Sequence, residues 1–96
     1  MDTKNVRQFI DVLLSSNSKP ELKKLLRDVM TESELIEVSA RLEAARLLKK
    51  GFSYETIRNK TKLSFRTIAR ISKWVKDGSG GYINAIRFLE SKHDHK

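Results

Sequence analysis

Cysteine is absent from this 96-residue chain. Its absence excludes disulfides, thiolate metal sites and cysteine nucleophiles, and it fits a reducing compartment. Proline occurs once and glycine four times, so breakers are few and a mostly helical protein is predicted. No apolar run approaches the ~20 residues that span a bilayer. The first residues, MDTKNVRQF, lack the apolar stretch of a signal peptide. The expectation is therefore a cytoplasmic protein with no membrane segment. The only two histidines, His93 and His95, lie in the last four residues, so no Ser-His-acid arrangement can be argued. A chain of this length makes one small domain with a modest core, which a second copy can supplement.

What the chain does have is positive charge in one place. Between Lys49 and Lys76 stand nine basic residues (Lys49, Lys50, Arg58, Lys60, Lys62, Arg66, Arg70, Lys73, Lys76) against one acid, Glu55. That surplus of eight equals the net charge of the whole protein, +8, because the remaining eleven basic and eleven acidic residues cancel. Solvated helices usually mix both signs, so a one-sided segment points to a polyanion.

The periodicity predicts about six helices, no strand and no repeat. Val6, Phe9, Ile10, Leu13 and Leu14 give residues 4–15 one apolar face. Ser18 and Glu21 form a capping pair with Pro20 in the first turn of a second helix, whose stripe is Leu22, Leu25, Leu26, Val29 and Met30. Thr31-Glu32-Ser33-Glu34 caps a long third helix. Its apolar set is Leu35, Ile36, Val38, Leu42, Ala45, Leu47 and Leu48, and Gly51 is placed to end it. Ser53 caps a fourth helix from Tyr54 to about Lys60, and Ser64 a fifth from Phe65 to about Lys76. The Gly78–Gly81 run reads as a flexible joint, followed by a short helix through Tyr82, Ile83, Ile86 and Leu89 and a frayed SKHDHK tail. The expected organisation is dimerisation helices over 1–51, a helix–turn–helix over 52–77, the joint over 78–81, and the last helix and tail over 82–96.

The fourth and fifth helices fit a helix–turn–helix, two short helices around a small shared core with one face of the second free for the major groove. Ile57, Leu63, Ile68, Ile71 and Val75 are the inward set. Ser64, Phe65, Arg66, Thr67, Ala69 and Arg70 are the candidate base readers. Arginine pairs bidentately with guanine, and threonine or alanine can meet a thymine methyl. Arg58, Lys60, Lys62, Lys73 and Lys76 suit phosphates, which position a domain without reading sequence. The alternative for the whole segment is a basic hairpin whose charges serve solubility alone.

Two segments, LLRDVMTESELIEVSARLEAARLLKKG and SYETIRNKTKLSFRTIARISKWVK, resemble the Trp repressor superfamily in the order and spacing of their residues. The small YerC/YecD type is the most similar branch, through RLEAARLL, the Gly-aromatic-Ser-Tyr start and the Gly-rich joint. The resemblance covers about half the chain directly. It implies an intertwined all-α homodimer with a helix–turn–helix at each end, set to read successive major grooves. It also implies a vestigial ligand pocket. In the tryptophan-sensing repressor the indole lies between two arginines, which Arg41 and Arg70 match, and Thr31 matches a pocket threonine. The pocket's Gly and Ser positions hold Ile71 and Trp74, which would fill the space. The resemblance thus implies a binder without a tryptophan corepressor, in which Trp74 either plugs the pocket or packs in the core. Arg41 has a simpler role open to it, pairing with Glu37 one turn earlier.

Other signals are weak. His93 and His95 with Asp94 give two ligands on a tail, a poor metal site; no metal and no cofactor are expected. Glu32, Ser33, Glu34 and Glu37 read as first-turn groups complementing the helix dipole, not as catalytic carboxylates. Phe52 and Tyr54 could stack on bases, yet their place at a helix start suits core and staple residues better. The expected function is sequence-specific binding of double-stranded DNA by a homodimeric, non-enzymatic regulator of transcription, with no small-molecule effector. Two rivals share the basic face: a non-specific architectural or RNA-binding module, and a dimer that docks an acidic protein.

Overall fold

Local capping sets where the helices begin. The computed structural model describes residues 3–93, which form α1 (Lys4–Ser15), α2 (Lys19–Val29), α3 (Glu32–Lys49), α4 (Tyr54–Thr61), α5 (Phe65–Asp77) and α6 (Gly81–His93). The described residues contain no strand, so the fold is all-α. Thr3, Ser18, Ser53 and Ser64 cap α1, α2, α4 and α5, each side chain accepting a backbone N–H three residues on. At α3 the capping is reciprocal. The Glu34 N–H donates to Thr31 Oγ1 at 3.1 Å, and the Thr31 N–H donates to Glu34 Oε1 at 2.8 Å. Each such cap stabilises its helix by about 1 kcal/mol.

Gly51 ends α3 in the left-handed region, with φ of 89°. Its N–H donates to the Leu48 carbonyl at 3.0 Å and the Phe52 N–H to the Leu47 carbonyl at 3.1 Å, a Schellman arrangement that glycine adopts without a Cβ penalty. At the other internal joint the structure departs from the sequence expectation. Gly81 opens α6, so the joint shrinks to residues 78–80, and α6 is a 13-residue helix that runs on through Ser91 and Lys92 to His93. Gly80, at φ of 100°, turns the chain, and its carbonyl accepts the Asn84 N–H at 2.9 Å. Residues 94–96, which include His95, lie outside the described residues.

The chain groups into two units. The first, through Leu35, contains α1, α2 and the opening turn of α3. None of its described residues is buried, and Phe9, Ile10, Val12, Leu14 and Val29 are exposed. The second, from Ile36 onward, holds the core: Ala44, Ala45 and Leu47 of α3, Ile57 of α4, Leu63 of the turn, Ile68 and Ile71 of α5, and Ile86 of α6. Ala40, Leu48, Val75 and Tyr82 pack against this cluster. Ile57 and Ile68 are fully buried, each contributing about 1.5–3 kcal/mol by removal from water. Ile57, Leu63, Ile68 and Ile71 thus occupy the inward positions read from the sequence.

Candidate nucleic-acid interface

The turn between α4 and α5 takes three residues, Lys62–Ser64. Lys62 adopts the left-handed conformation, φ of 65°, and its N–H donates to the Arg58 carbonyl at 2.8 Å. Thr61 Oγ1 donates to the Ile57 carbonyl at 2.7 Å and accepts the Leu63 N–H at 3.3 Å. With its backbone satisfied, the turn drops Leu63 into the core. Ser64 then starts α5. Its Oγ accepts the Thr67 N–H at 3.2 Å and donates to Thr67 Oγ1 at 3.1 Å.

Burial divides α5 sharply. Ile68, Ile71 and Ser72 face the core, whereas Phe65, Arg66, Ala69, Arg70, Lys73, Trp74 and Lys76 are exposed and Thr67 is half-buried. On α4 and the turn, Arg58, Lys60 and Lys62 are exposed as well. None of these seven cations, Arg58, Lys60, Lys62, Arg66, Arg70, Lys73 or Lys76, has an ion-pair partner among the described residues. Their charge is uncompensated. Arg58 makes one contact that periodicity does not reveal: its guanidinium carbon lies 4.7 Å from the centre of the Phe65 ring. Phe65 nevertheless keeps 45% of its surface exposed. Phe52 and Tyr54, expected as core and staple residues, each keep 40% of their surface exposed; Ile57 is the buried residue of α4.

The residues assigned by resemblance to a vestigial pocket are only partly gathered. Arg41, Arg70, Ile71 and Trp74 line one cleft of about 270 Å³ together with Thr67 and Tyr82. Thr31 belongs to the first unit, where it caps α3. Ile71 turns into the core and is buried, and Trp74 is 53% exposed, so this cleft stays open. The core-packing role for Trp74 is therefore not found: on α5 it falls three residues after Ile71, at the edge of the buried face. Arg41 Nη2 donates to Glu37 Oε2 at 2.7 Å on the surface of α3, the simpler of its two expected roles. A second, larger groove of about 500 Å³ runs past Val38, Leu42, Trp74, Gly78, Tyr82 and Ala85. Sequence reading missed it, although Gly78 four residues after Trp74 is a signal. A Cβ there would lie 2.4 Å from the Trp74 carbonyl oxygen and 3.1 Å from its ring.

Among the described residues no group of His, Cys, Asp or Glu is placed to hold a metal, and no helix is long and apolar enough to cross a membrane.

The chain is similar to known proteins over almost its whole length. YerC from Bacillus subtilis (strain 168) is 30% identical over 83 residues, covering 86% of this chain and 80% of that protein. The crystal structure of a TrpR-like protein from Eubacterium eligens ATCC 27750 superposes with a TM-score of 0.84 at 30% identity, covering 93% of this chain and 92% of the other. A second crystal structure, from Staphylococcus aureus, shares the fold with a TM-score of 0.82 at 24% identity, over 92% of this chain and 88% of that one. The family model for the Trp repressor protein matches residues 4–90, and with the six-helix architecture and these relatives it follows that the chain belongs to the Trp repressor family.

Proposed function

We propose that this protein is a homodimeric, sequence-specific binder of double-stranded DNA, a cytoplasmic regulator of transcription in a bacterium. The observation that carries the reading is the division of α5 into a buried face and a face of unpaired cations. Lysine and arginine on the outside of a second helix, braced from within by Ile57, Leu63, Ile68 and Ile71, meet the requirements of a groove-reading helix. Arg66 and Arg70 stand one turn apart and match guanine edges; Ser64, Phe65, Thr67 and Ala69 flank them; Arg58, Lys60, Lys62, Lys73 and Lys76 meet phosphates. Arg70 also borders the cleft, so it is shared between the two faces.

Dimerisation rests on the first unit. A chain that leaves Phe9, Ile10, Val12, Leu14 and Val29 exposed on two amphipathic helices has an apolar surface that calls for a partner, and a second copy presents the same surface. A two-fold dimer places two copies of α5 on one duplex. Tryptophan is not a corepressor in this reading, because Trp74 brings the chain's own indole to the edge of the Arg41–Arg70 cleft, at a position where the tryptophan-sensing relative has a small residue. An enzyme is the least supported class, because the Trp repressor family to which the chain belongs is one of DNA-binding regulators.

The test is sedimentation of the protein with a duplex drawn from its own selected pool, with and without tryptophan. Two chains per duplex and an affinity unmoved by tryptophan are expected. One chain per duplex would remove the dimer, and tightening by tryptophan would restore the corepressor.

A further inference from the structure

Resting on the DNA-binding reading, we infer that the Arg58–Phe65 stack is a thymine-methyl reader, with Phe65 touching the methyl and Arg58 acting as the residue that positions it.

Phe65 is the first residue of α5, directly after its cap. Its ring has no donor or acceptor, so in a major groove the one sequence-dependent feature it can recognise is an apolar one, the C5 methyl of thymine. The hydroxyl directly before it is engaged within the cap, because Ser64 Oγ donates to Thr67 Oγ1 and accepts the Thr67 N–H. Ala69 follows Phe65 by one turn and is exposed, so the two make a narrow apolar ridge. Arg66 and Arg70 repeat the same spacing one residue on and make a cationic ridge beside it. The helix thus carries an apolar row and a guanine-matching row side by side.

A phenylalanine on an exposed helix end would ordinarily sample several rotamers. Here α4 supplies a guanidinium 4.7 Å from the ring centre, within the range in which cation and ring attract. The stack covers one ring face and leaves the residue 45% exposed. A stacked guanidinium keeps its in-plane N–H groups free, and Arg58 has no ion-pair partner among the described residues. It can therefore hold the ring with its face and a phosphate with its edge, which a lysine ammonium cannot do. Phosphate contact by α4 and base contact by α5 are then coupled through one pair of side chains.

The experiment selects duplexes from a random pool and then replaces each dT of the enriched site, one at a time, with dU, which removes only the methyl. One position is expected to lose about fourfold in affinity, the worth of a buried methyl. That loss should vanish in Phe65→Ala. It should shrink by half or more in Arg58→Lys, which keeps the charge, while Lys73→Ala leaves it unchanged. A helical circular dichroism spectrum like that of the parent chain establishes that each variant is folded. An enriched site with no methyl-sensitive position overturns the inference and leaves the DNA reading standing. A methyl penalty that survives Phe65→Ala assigns the contact to another residue and also overturns it. A penalty intact in Arg58→Lys removes Arg58 from the role. Absence of duplex binding overturns the DNA reading itself and this inference with it.

Discussion

Among the described residues, all eight buried hydrophobics belong to the second unit and none to the first. The contrast is not one of composition. Helices α1 and α2 are amphipathic, with apolar rows as regular as that of α5. What differs is that the apolar row of α5 has α3, α4 and α6 residues to pack against within the chain, whereas no residue of the α1 and α2 rows is buried: Phe9, Ile10, Leu14 and Val29 are exposed and the rest half-buried. One unit is a self-sufficient core carrying an uncompensated cationic face. The other is a set of helices with no buried residue among those described. Similar helices thus end in two environments, one with its apolar side buried in a core and one with no buried residue among those described.

The largest effect is expected in the core. Ile68→Ala removes a fully buried side chain from under the cationic face and should cost 2–5 kcal/mol, roughly, in urea unfolding. A loss well below 1 kcal/mol would mean that the second unit does not depend on this core. Leu14 is the counterpart on the other side, 78% exposed in the protomer. Leu14→Asp should raise the dimer dissociation constant by about tenfold or more in sedimentation, since a carboxylate buried at an interface is costly. If the face is merely solvated, the constant will not move.

Gly78→Ala tests how tightly the joint is packed. The added Cβ would press on the Trp74 carbonyl, a backbone atom with little room to yield, and a loss of about 1–3 kcal/mol is expected from thermal melts. On the reading face, Arg66→Ala should relax the preference for one base by about 1–3 kcal/mol, whereas Lys73→Ala should weaken all duplexes alike; competition binding with point-changed duplexes separates the two. Smallest is Thr31→Ala, about 1 kcal/mol in urea titration, from loss of the reciprocal cap with Glu34.

Much of this was legible in the sequence because it is local. The caps at Ser18, Thr31, Ser53 and Ser64, the end of α3 at Gly51, and the inward positions Ile57, Leu63, Ile68 and Ile71 follow from spacing within one or two turns. What was hidden depends on packing between elements. Gly81 has poor helix propensity, yet α6 begins there, because Gly80 turns the chain and Ile86 is buried in the core. Phe52 and Tyr54 look like core residues by type but are exposed, while the aliphatic Ile57 and Leu63 are buried. Trp74 lines clefts instead of filling one, and Arg58 meets Phe65 only because α4 and α5 pack together. None of these contacts leaves a periodic trace.

In the proposed function the cationic face of the second unit, and not the scattered lysines of the first, engages DNA. The direct measurement is the slope of log binding constant against log salt for two double variants on one duplex. Lys73→Ala with Lys76→Ala should make this negative slope shallower by about 1.8, close to 0.9 for each phosphate that is no longer neutralised, while Lys23→Ala with Lys24→Ala leaves it where it was. Equal reductions from the two pairs, or a larger one from the α2 pair, would contradict the claim.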